Sequence, residues 1–208
     1  FDYRFGTVGK PQGDVKIRIA GDGEVLVKST KVMKEYFGDP KATLNALREG
    51  WFHTGDIGEI LPTGELKITD HKKSLFKLAG GVYIAPQKLE NLLKQQSLIS
   101  NAMIYGERKR YVVALLTLNR EPILRFAAKK DIYYTDFFHL VKNEQVVEMI
   151  RQVVAKVNSK LSSYEAIKNF AIIAEEFSVD GGELSPSLKL KRKYCELKYR
   201  NILAGLYR

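Results

Sequence analysis

Residues 50–81, GWFHTGDIGEILPTGELKITDHKKSLFKLAGG, carry more local structural signals than the rest of the chain. Residues 57–61 and 65–68 are predicted to be two short strands, because a Pro-Thr-Gly turn joins them and such turns close hairpins. This hairpin would place Asp56 at one end and Asp70 at the other. The stretch therefore predicts a β-rich region that brings two distant carboxylates into one element.

The Thr54-Gly55-Asp56 segment has two interpretations. A short carboxylate that follows a glycine can lie close to a ligand and accept two hydrogen bonds from a vicinal diol, such as a ribose. The same residues are also common in a tight turn where the aspartate only caps the backbone. The local pattern alone favours the simple turn and leaves the diol site open.

The whole stretch resembles the signature of the adenylate-forming enzymes, the superfamily of acyl-CoA synthetases, luciferases and peptide-synthetase adenylation domains. The similar segments are GWFHTGD at 50–56, the Gly-Glu-Leu turn, and the run from Asp70 that ends in a Gly-Gly pair. Within that superfamily, GGVYIAPQKLE at 80–90 and PSLKLKR at 186–192 are most similar to long-chain fatty-acid CoA ligases. One departure is His71, which stands where the family usually has arginine.

The resemblance implies an α+β fold that forms the C-terminal part of a larger enzyme. Residues 1–70 would be a small β-rich subdomain that ends the AMP-binding adenylation domain, and residues 71–208 a compact α+β lid domain. The hinge would lie near 70–73, where Asp70 and Lys73 absorb the rotation in their backbone dihedrals. The family's phosphate loop and acyl pocket are not recognisable in the sequence, so we expect the chain alone to lack ligase turnover.

The implied reaction has two steps. A fatty acid and ATP form acyl-AMP and pyrophosphate, with Mg²⁺ bridging the phosphates, and the thiol of coenzyme A then displaces AMP. Asp56 would hold the ribose hydroxyls, and His71 would contact the same ribose more weakly than an arginine, or not at all. The residues that would line the path of the pantetheine arm are Leu78, Ala79, Gly80 and Gly81.

A second chemical element is the basic loop GELSPSLKLKR at 182–192. Without the resemblance, such a run is usually a solvated surface or a contact for phosphates or nucleic acid. It resembles the ELTPTxKxKR loop of long-chain ligases, whose first lysine is catalytic, and this position corresponds to Lys189. Lys191 is the alternative. An ammonium group at this place would neutralise the negative charge that develops during adenylation.

The 208-residue chain has a formal net charge of +10, which suits nucleotide phosphates, coenzyme A, a membrane surface or nucleic acid. The lysines are dispersed and aromatic residues do not alternate with them as in a stacking platform, so we expect no nucleic-acid partner. Two alternatives to a long-chain ligase are a sibling enzyme that adenylates another carboxylic acid and a non-catalytic basic nucleic-acid-binding module. The sequence leaves the oligomeric state open.

The cysteine content and the hydropathy pattern indicate the subcellular location. A single cysteine, Cys195, excludes an internal disulfide and fits a reducing compartment. No apolar run approaches the roughly 20 residues of a bilayer-spanning helix. We therefore expect a cytoplasmic protein, with room for peripheral contact at a membrane. The histidines His53, His71 and His139 lack metal-ligand spacing, so no metal site is predicted.

Periodicity and capping signals predict the other elements. Asp39 as N-cap and Pro40 at the first helical position predict one helix start. Apolar residues at helical or alternating spacing predict the rest. The predicted helices cover 30–37, 39–47, 121–130, 143–161 and 191–206, and the predicted strands cover 15–20, 24–28, 98–105, 111–118 and 170–174.

Overall fold

The computed structural model describes residues 4–208, which divide into two compact units, one ending at Leu75 and the other comprising Phe76–Arg208. Both units combine helices and strands, which confirms the predicted α+β class. The predicted boundary between domains, after residue 70, lies earlier than this division. The strand that ends at His71 and a 3₁₀ helix at Lys72–Ser74 both belong to the first unit.

The first unit is built on an antiparallel sheet. Its strands are β1 (Lys16–Ile19), β2 (Glu24–Lys28), β3 (Leu47–Arg48), β4 (Trp51–Ile60) and β5 (Leu66–His71). β4 pairs with β2, β3 and β5, and β1 pairs with β2. The long strand β4 is thus the element against which the other strands of this unit are arranged, and it carries the Thr-Gly-Asp turn.

One helix of the first unit follows its prediction and another does not. Helix α1 (Pro40–Ala46) begins after Asp39, whose side chain accepts a hydrogen bond from the Ala42 amide at 2.8 Å. The helix predicted at 30–37 is wrong, because these residues form turns and bends. The carboxylate of Asp14, 16 residues away in the chain, accepts hydrogen bonds from the amide and hydroxyl of Thr30, so the Thr30 amide is satisfied without a helix.

The second unit has a three-layer arrangement around the buried strand β9. Its strands are β6 (Phe76–Lys77), β7 (Tyr83–Ile84), β8 (Ile99–Tyr105), β9 (Val112–Leu118) and β10 (Ile167–Ile172). Its helices are α2 (Pro86–Lys94), α3 (Arg120–Lys129), α4 (Phe137–Leu140), α5 (Glu144–Asn158), α6 (Arg192–Lys198) and α7 (Arg200–Gly205). The sheet order is β10-β9-β8, with β8 antiparallel and β10 parallel to β9.

Every residue of β9 is buried, and the pleat divides its side chains between two cores. Ala114 and Leu116 pack with α2, α3 and α5, whereas Val113 and Leu115 pack with α6 and α7. Burial on both faces explains why this strand is a continuous apolar run instead of an alternating one. Leu184 and Leu190, in the segment that precedes α6, pack against the same core as Val113 and Leu115.

The predicted helix at 191–206 is two helices, α6 and α7. The interruption is at Tyr199, whose φ of −104° and ψ of 19° depart from helical values. Its ring stacks on Phe177 with centroids 5.9 Å apart, and its hydroxyl donates to Glu183 at 2.8 Å. Side-chain packing at this position overrides the continuous helical pattern. Within residues 4–208, no helix is long and apolar enough to span a membrane.

Candidate functional site

The Thr-Gly-Asp turn is an irregularity in the pairing of β4. Leu26 pairs with His53 and Glu24 with Ile57, so four steps along β4 are matched by two steps along β2. The extra residues bulge from the sheet. Gly55 adopts a φ of 76°, a left-handed backbone conformation that glycine adopts more readily than other residues. Bulges of this kind redirect neighbouring side chains and are frequent beside active sites.

The pairing of β4 with β5 brings the two predicted ribose-binding residues together. Asp56 and His71 are cross-strand partners between β4 and β5, and the Asp56 Oδ1 atom lies 2.5 Å from His71 Nδ1. The Asp56 side chain is 34% exposed and the His71 side chain 54%. A carboxylate has about four lone-pair positions, so this contact leaves acceptor capacity for a diol. The site is accessible and chemically suited to hydroxyl groups.

The two predicted hinge residues have different environments. Asp70 is 1% exposed, and its Oδ1 atom accepts a hydrogen bond from the His71 amide at 2.7 Å. Lys73 is exposed within the 3₁₀ helix at Lys72–Ser74. Asp70 therefore fixes the end of β5, whereas Lys73 lies on the surface segment that follows it.

The four residues predicted to line the coenzyme A path form a turn between β6 and β7. The amide of Leu78 donates to the Val82 carbonyl, and the amide of Gly81 donates to the Leu78 carbonyl, both at 2.9 Å. Leu78 is buried in the core, whereas Ala79, Gly80 and Gly81 are exposed. A Cβ placed on Gly80 would have no heavy atom within 4 Å. The turn thus presents open backbone, with Leu78 as its support.

The basic loop is a short hairpin-like structure with Lys189 near its tip. The Ser185 amide donates to the Lys189 carbonyl at 2.8 Å, and the Lys189 amide donates to Ser185 Oγ at 3.1 Å. At the base, the Lys191 amide donates to the Glu183 carbonyl at 2.7 Å. Leu188 has a φ of 58°, a strained value for a residue with a side chain. These hydrogen bonds join the two sides of the loop.

The two candidate lysines differ in their surroundings. Lys189 is exposed, and within residues 4–208 its ammonium group has no hydrogen bond or ion pair. The ammonium group of Lys191 lies 5.1 Å from the ring centroid of Tyr194, in a cation–π geometry. Lys189 is therefore available to an anionic ligand without loss of an existing contact.

A buried carboxylate that sequence reasoning missed, Glu183, anchors the loop near its start. Glu183 is 2% exposed, and its Oε1 atom accepts hydrogen bonds from Lys198 Nζ at 2.5 Å and from the Tyr199 hydroxyl at 2.8 Å. Burial by itself would raise the pKa of Glu183, but these hydrogen bonds outweigh burial and lower the pKa to about 2. Both partners lie on α6 or directly after it, so no local pattern marks the contact.

The other end of the loop is anchored by Arg192, which sequence reasoning also missed. Its guanidinium donates to Glu90 Oε1 on α2 at 2.7 Å and to the Ile104 carbonyl on β8 at 2.6 Å. The same Glu90 oxygen accepts a hydrogen bond from the Ile104 amide at 2.9 Å. Arg192 and Glu90 are 102 residues apart in the chain, so only the fold brings them together.

The Glu183 contact predicts a pH dependence of stability. Because the folded-state pKa is lowered, the stabilisation is present above the ordinary glutamate pKa and is lost as the pH falls through the folded-state value. We expect wild type to be more stable than Glu183→Gln at neutral pH and the difference to shrink between about pH 5 and pH 2. Urea denaturation of both proteins at several pH values measures this difference. A difference that is constant with pH would contradict the assignment.

Cys195 is fully buried beside this cluster, and burial raises the pKa of its thiol to about 11. A thiol with this pKa is protonated at neutral pH and is a poor nucleophile, which supports a packing role. Residues 4–208 contain no group of three or more His, Cys, Asp or Glu side chains that could hold a metal ion.

Comparison with known proteins places these features in a family. Residues 74–208 match the family model described as the AMP-binding enzyme C-terminal domain. A long-chain-fatty-acid–CoA ligase of Cavia porcellus is 38% identical to this chain. The alignment covers 99% of this chain and 32% of that protein. A long-chain-fatty-acid–CoA ligase of Mycobacterium tuberculosis is 35% identical, again over 99% of this chain and 34% of the relative. The chain thus spans about a third of the length of these relatives.

Solved structures show the same fold. The adenylation domain of a carboxylate reductase from Mycobacterium chelonae superposes with a TM-score of 0.64 at 28% identity, over 89% of this chain and 27% of that chain. The o-succinylbenzoate coenzyme A synthetase of Bacillus subtilis, in complex with AMP, gives a TM-score of 0.60 at 22% identity, over 91% of this chain and 35% of that chain.

Proposed function

Since this chain belongs to the AMP-binding enzyme C-terminal domain family, we propose that it is the C-terminal part of a long-chain fatty-acid CoA ligase. The observation that carries the proposal is the identity with long-chain-fatty-acid–CoA ligases along nearly the whole chain. The enzyme would first join a fatty-acid carboxylate to the α-phosphate of ATP and release pyrophosphate. The thiol of coenzyme A would then attack the acyl carbonyl and release AMP.

In this proposal, Lys189 is the catalytic lysine. Attack on the α-phosphate builds negative charge on the non-bridging oxygens, and a nearby ammonium group stabilises that charge in the transition state. Lys189 fits this role because it is exposed, without a side-chain partner within residues 4–208, and held in a fixed loop. Lys191 fits less well, because its ammonium group already lies against Tyr194.

Asp56 would bind the ribose of ATP and AMP through its exposed carboxylate. His71 is already in contact with Asp56, so it would orient that carboxylate. This arrangement supports a ribose site that depends mainly on Asp56.

The exposed turn at Ala79, Gly80 and Gly81 would border the pantetheine arm of coenzyme A, since glycine allows close approach to the backbone. Leu78 would support this turn from the core. The surface segment that includes Lys73 would act as the hinge about which the lid domain rotates between the two catalytic steps. Asp70 would fix the strand before this hinge.

Mg²⁺ would accompany ATP in this reaction. Among residues 4–208 there is no group of three or more His, Cys, Asp or Glu side chains that could hold the ion. Phosphate oxygens of ATP would be among its ligands.

A sibling enzyme that adenylates another carboxylic acid is the second candidate. It is favoured by one observation, the fold similarity to a carboxylate reductase and to an o-succinylbenzoate coenzyme A synthetase. The residues discussed above contact ATP or coenzyme A in this proposal, so they would serve either substrate.

The test uses the full-length protein that contains this chain. With ATP, coenzyme A and palmitate or oleate, we expect formation of the corresponding acyl-CoA, and much slower turnover with acetate or benzoate. The isolated 208-residue chain serves as the control and should show no turnover. Turnover that is restricted to short-chain or aromatic acids would support the sibling enzyme. Failure of the full-length protein with every acid would overturn both candidates.

A further inference from the structure

Glu24, a buried carboxylate on β2, contacts two other parts of the first unit: strand β4, at His53 and Gly55, and Lys72 directly after β5. Glu24 is 4% exposed, and its Oε1 atom accepts a hydrogen bond from the Gly55 amide at 3.0 Å. Its Oε2 atom lies 2.8 Å from Lys72 Nζ and 3.0 Å from His53 Nδ1. A charged group this deeply buried is costly unless hydrogen bonds and opposite charges compensate it, and here both do so.

The contact with Gly55 replaces a missing sheet hydrogen bond. Because β4 bulges between His53 and Ile57, the Gly55 amide has left the ladder to β2, and the Glu24 carboxylate accepts its hydrogen bond instead. Thr54 fixes the same bulge, since its hydroxyl donates to the Val25 carbonyl at 2.8 Å.

The contact with Lys72 connects the same carboxylate to the end of β5. Lys72 also pairs with Asp22 at 2.7 Å, so two carboxylates hold its ammonium group. Burial alone would raise the pKa of Glu24, but hydrogen bonds from Lys72, His53 and Gly55 outweigh burial and lower the pKa. Glu24 is therefore ionised at neutral pH and attracts Lys72.

These contacts form a closed ring that includes the Asp56–His71 pair. Gly55 directly precedes Asp56, Lys72 directly follows His71, and Glu24 contacts both Gly55 and Lys72. Asp56 and His71 contact each other at 2.5 Å and complete the ring. A shift of Glu24 would therefore disturb the Gly55 backbone and the Lys72 side chain, which lie next to the two members of the pair.

We propose that Glu24 is a positioning residue that sets the Asp56 carboxylate for the ribose hydroxyls, with Lys72 as its charge partner. The proposal rests on the proposed function, because it presumes that Asp56 binds ribose. It goes further, because it assigns the geometry of that site to Glu24 on β2. In this inference Glu24, which is 4% exposed, does not itself contact the nucleotide.

The test compares ATP with dideoxy-ATP, which lacks both ribose hydroxyls, in acyl-adenylate formation by the full-length protein. The readout is the ratio of kcat/KM values for the two nucleotides, followed by pyrophosphate release. Wild type should prefer ATP by about tenfold or more, as expected for hydrogen bonds to a carboxylate. Glu24→Ala should reduce this preference at least about fivefold, and Glu24→Gln and Lys72→Met should reduce it less.

The matched control is Glu59→Gln, because Glu59 lies on β4, the strand that carries Asp56, but is 54% exposed and pairs only with Lys67 among residues 4–208. Its nucleotide preference should equal that of wild type. If Glu24→Ala does not fold, Glu24→Gln and Lys72→Met carry the test, since the first keeps the size and hydrogen-bond acceptor of Glu24 and Lys72 is 42% exposed.

The outcomes separate the two proposals. If wild type prefers ATP and the Glu24 and Lys72 variants lose activity equally with both nucleotides, Glu24 is only structural and the inference is overturned. If wild type does not distinguish ATP from dideoxy-ATP, the ribose role of Asp56 fails first, and the inference fails with it. A preference that falls in Asp56→Ala and in the Glu24 variants, with Glu59→Gln unchanged, supports both.

Discussion

Lys189→Ala in the full-length protein lowers the rate of acyl-adenylate formation by about 10²- to 10³-fold, as expected when a group that stabilises transition-state charge is removed. The loop geometry supports a specific effect, because its hydrogen bonds to Ser185 use the backbone of Lys189 and survive the substitution. Pyrophosphate release measures the adenylation step. Thioester formation from supplied acyl-adenylate should continue, since that step does not need charge neutralisation at the α-phosphate.

Lys191→Ala is the matched control for this experiment. It removes an equal charge two positions away, but from a lysine whose ammonium group lies on Tyr194, so adenylation should change by less than about threefold. A collapse of adenylation in Lys191→Ala with little change in Lys189→Ala would reverse the assignment. Full activity in both variants would show that the basic loop is only a surface.

Arg192→Met lowers the free energy of unfolding by about 3 kcal/mol, at the lower end of the cost of breaking a buried ion pair. The lower end is expected because the Arg192 side chain is 23% exposed, although the Glu90 side chain is only 8% exposed. The substitution removes the guanidinium that neutralises Glu90 and that donates to the Ile104 carbonyl. Urea denaturation, followed by a signal from the second unit, measures the change in the free energy of unfolding.

Lys193→Met is the control for stability, because Lys193 is the next residue and is exposed. Its effect should stay within about 0.5 kcal/mol of wild type. The double variant Glu90→Gln/Arg192→Met should recover part of the loss, since the buried negative charge is removed together with its partner. Equal destabilisation by Arg192→Met and Lys193→Met would contradict the anchoring role of Arg192.

Elements with strong local signals were predictable. Asp39 and Pro40 predicted the start of α1, and the apolar run at 111–118 predicted β9, because capping and continuous burial leave direct traces in the sequence. The prediction for 30–37 was wrong because the side chain of Asp14, distant in sequence, satisfies the backbone at Thr30. The single helix at 191–206 was wrong because Tyr199 packs and bonds to partners outside the helix.

The sequence by itself determined the family resemblance, the α+β class and the identities of the proposed ligand-contacting residues, because these depend on motifs of consecutive residues such as those around Asp56 and Lys189. Only the tertiary structure decided what holds those residues in place. Glu24 with Lys72, Glu183 with Tyr199, and Glu90 with Arg192 are pairs whose members are far apart in the chain. Each pair is a buried carboxylate with its donor, and burial of a charge is tolerable only where the fold brings that donor to it.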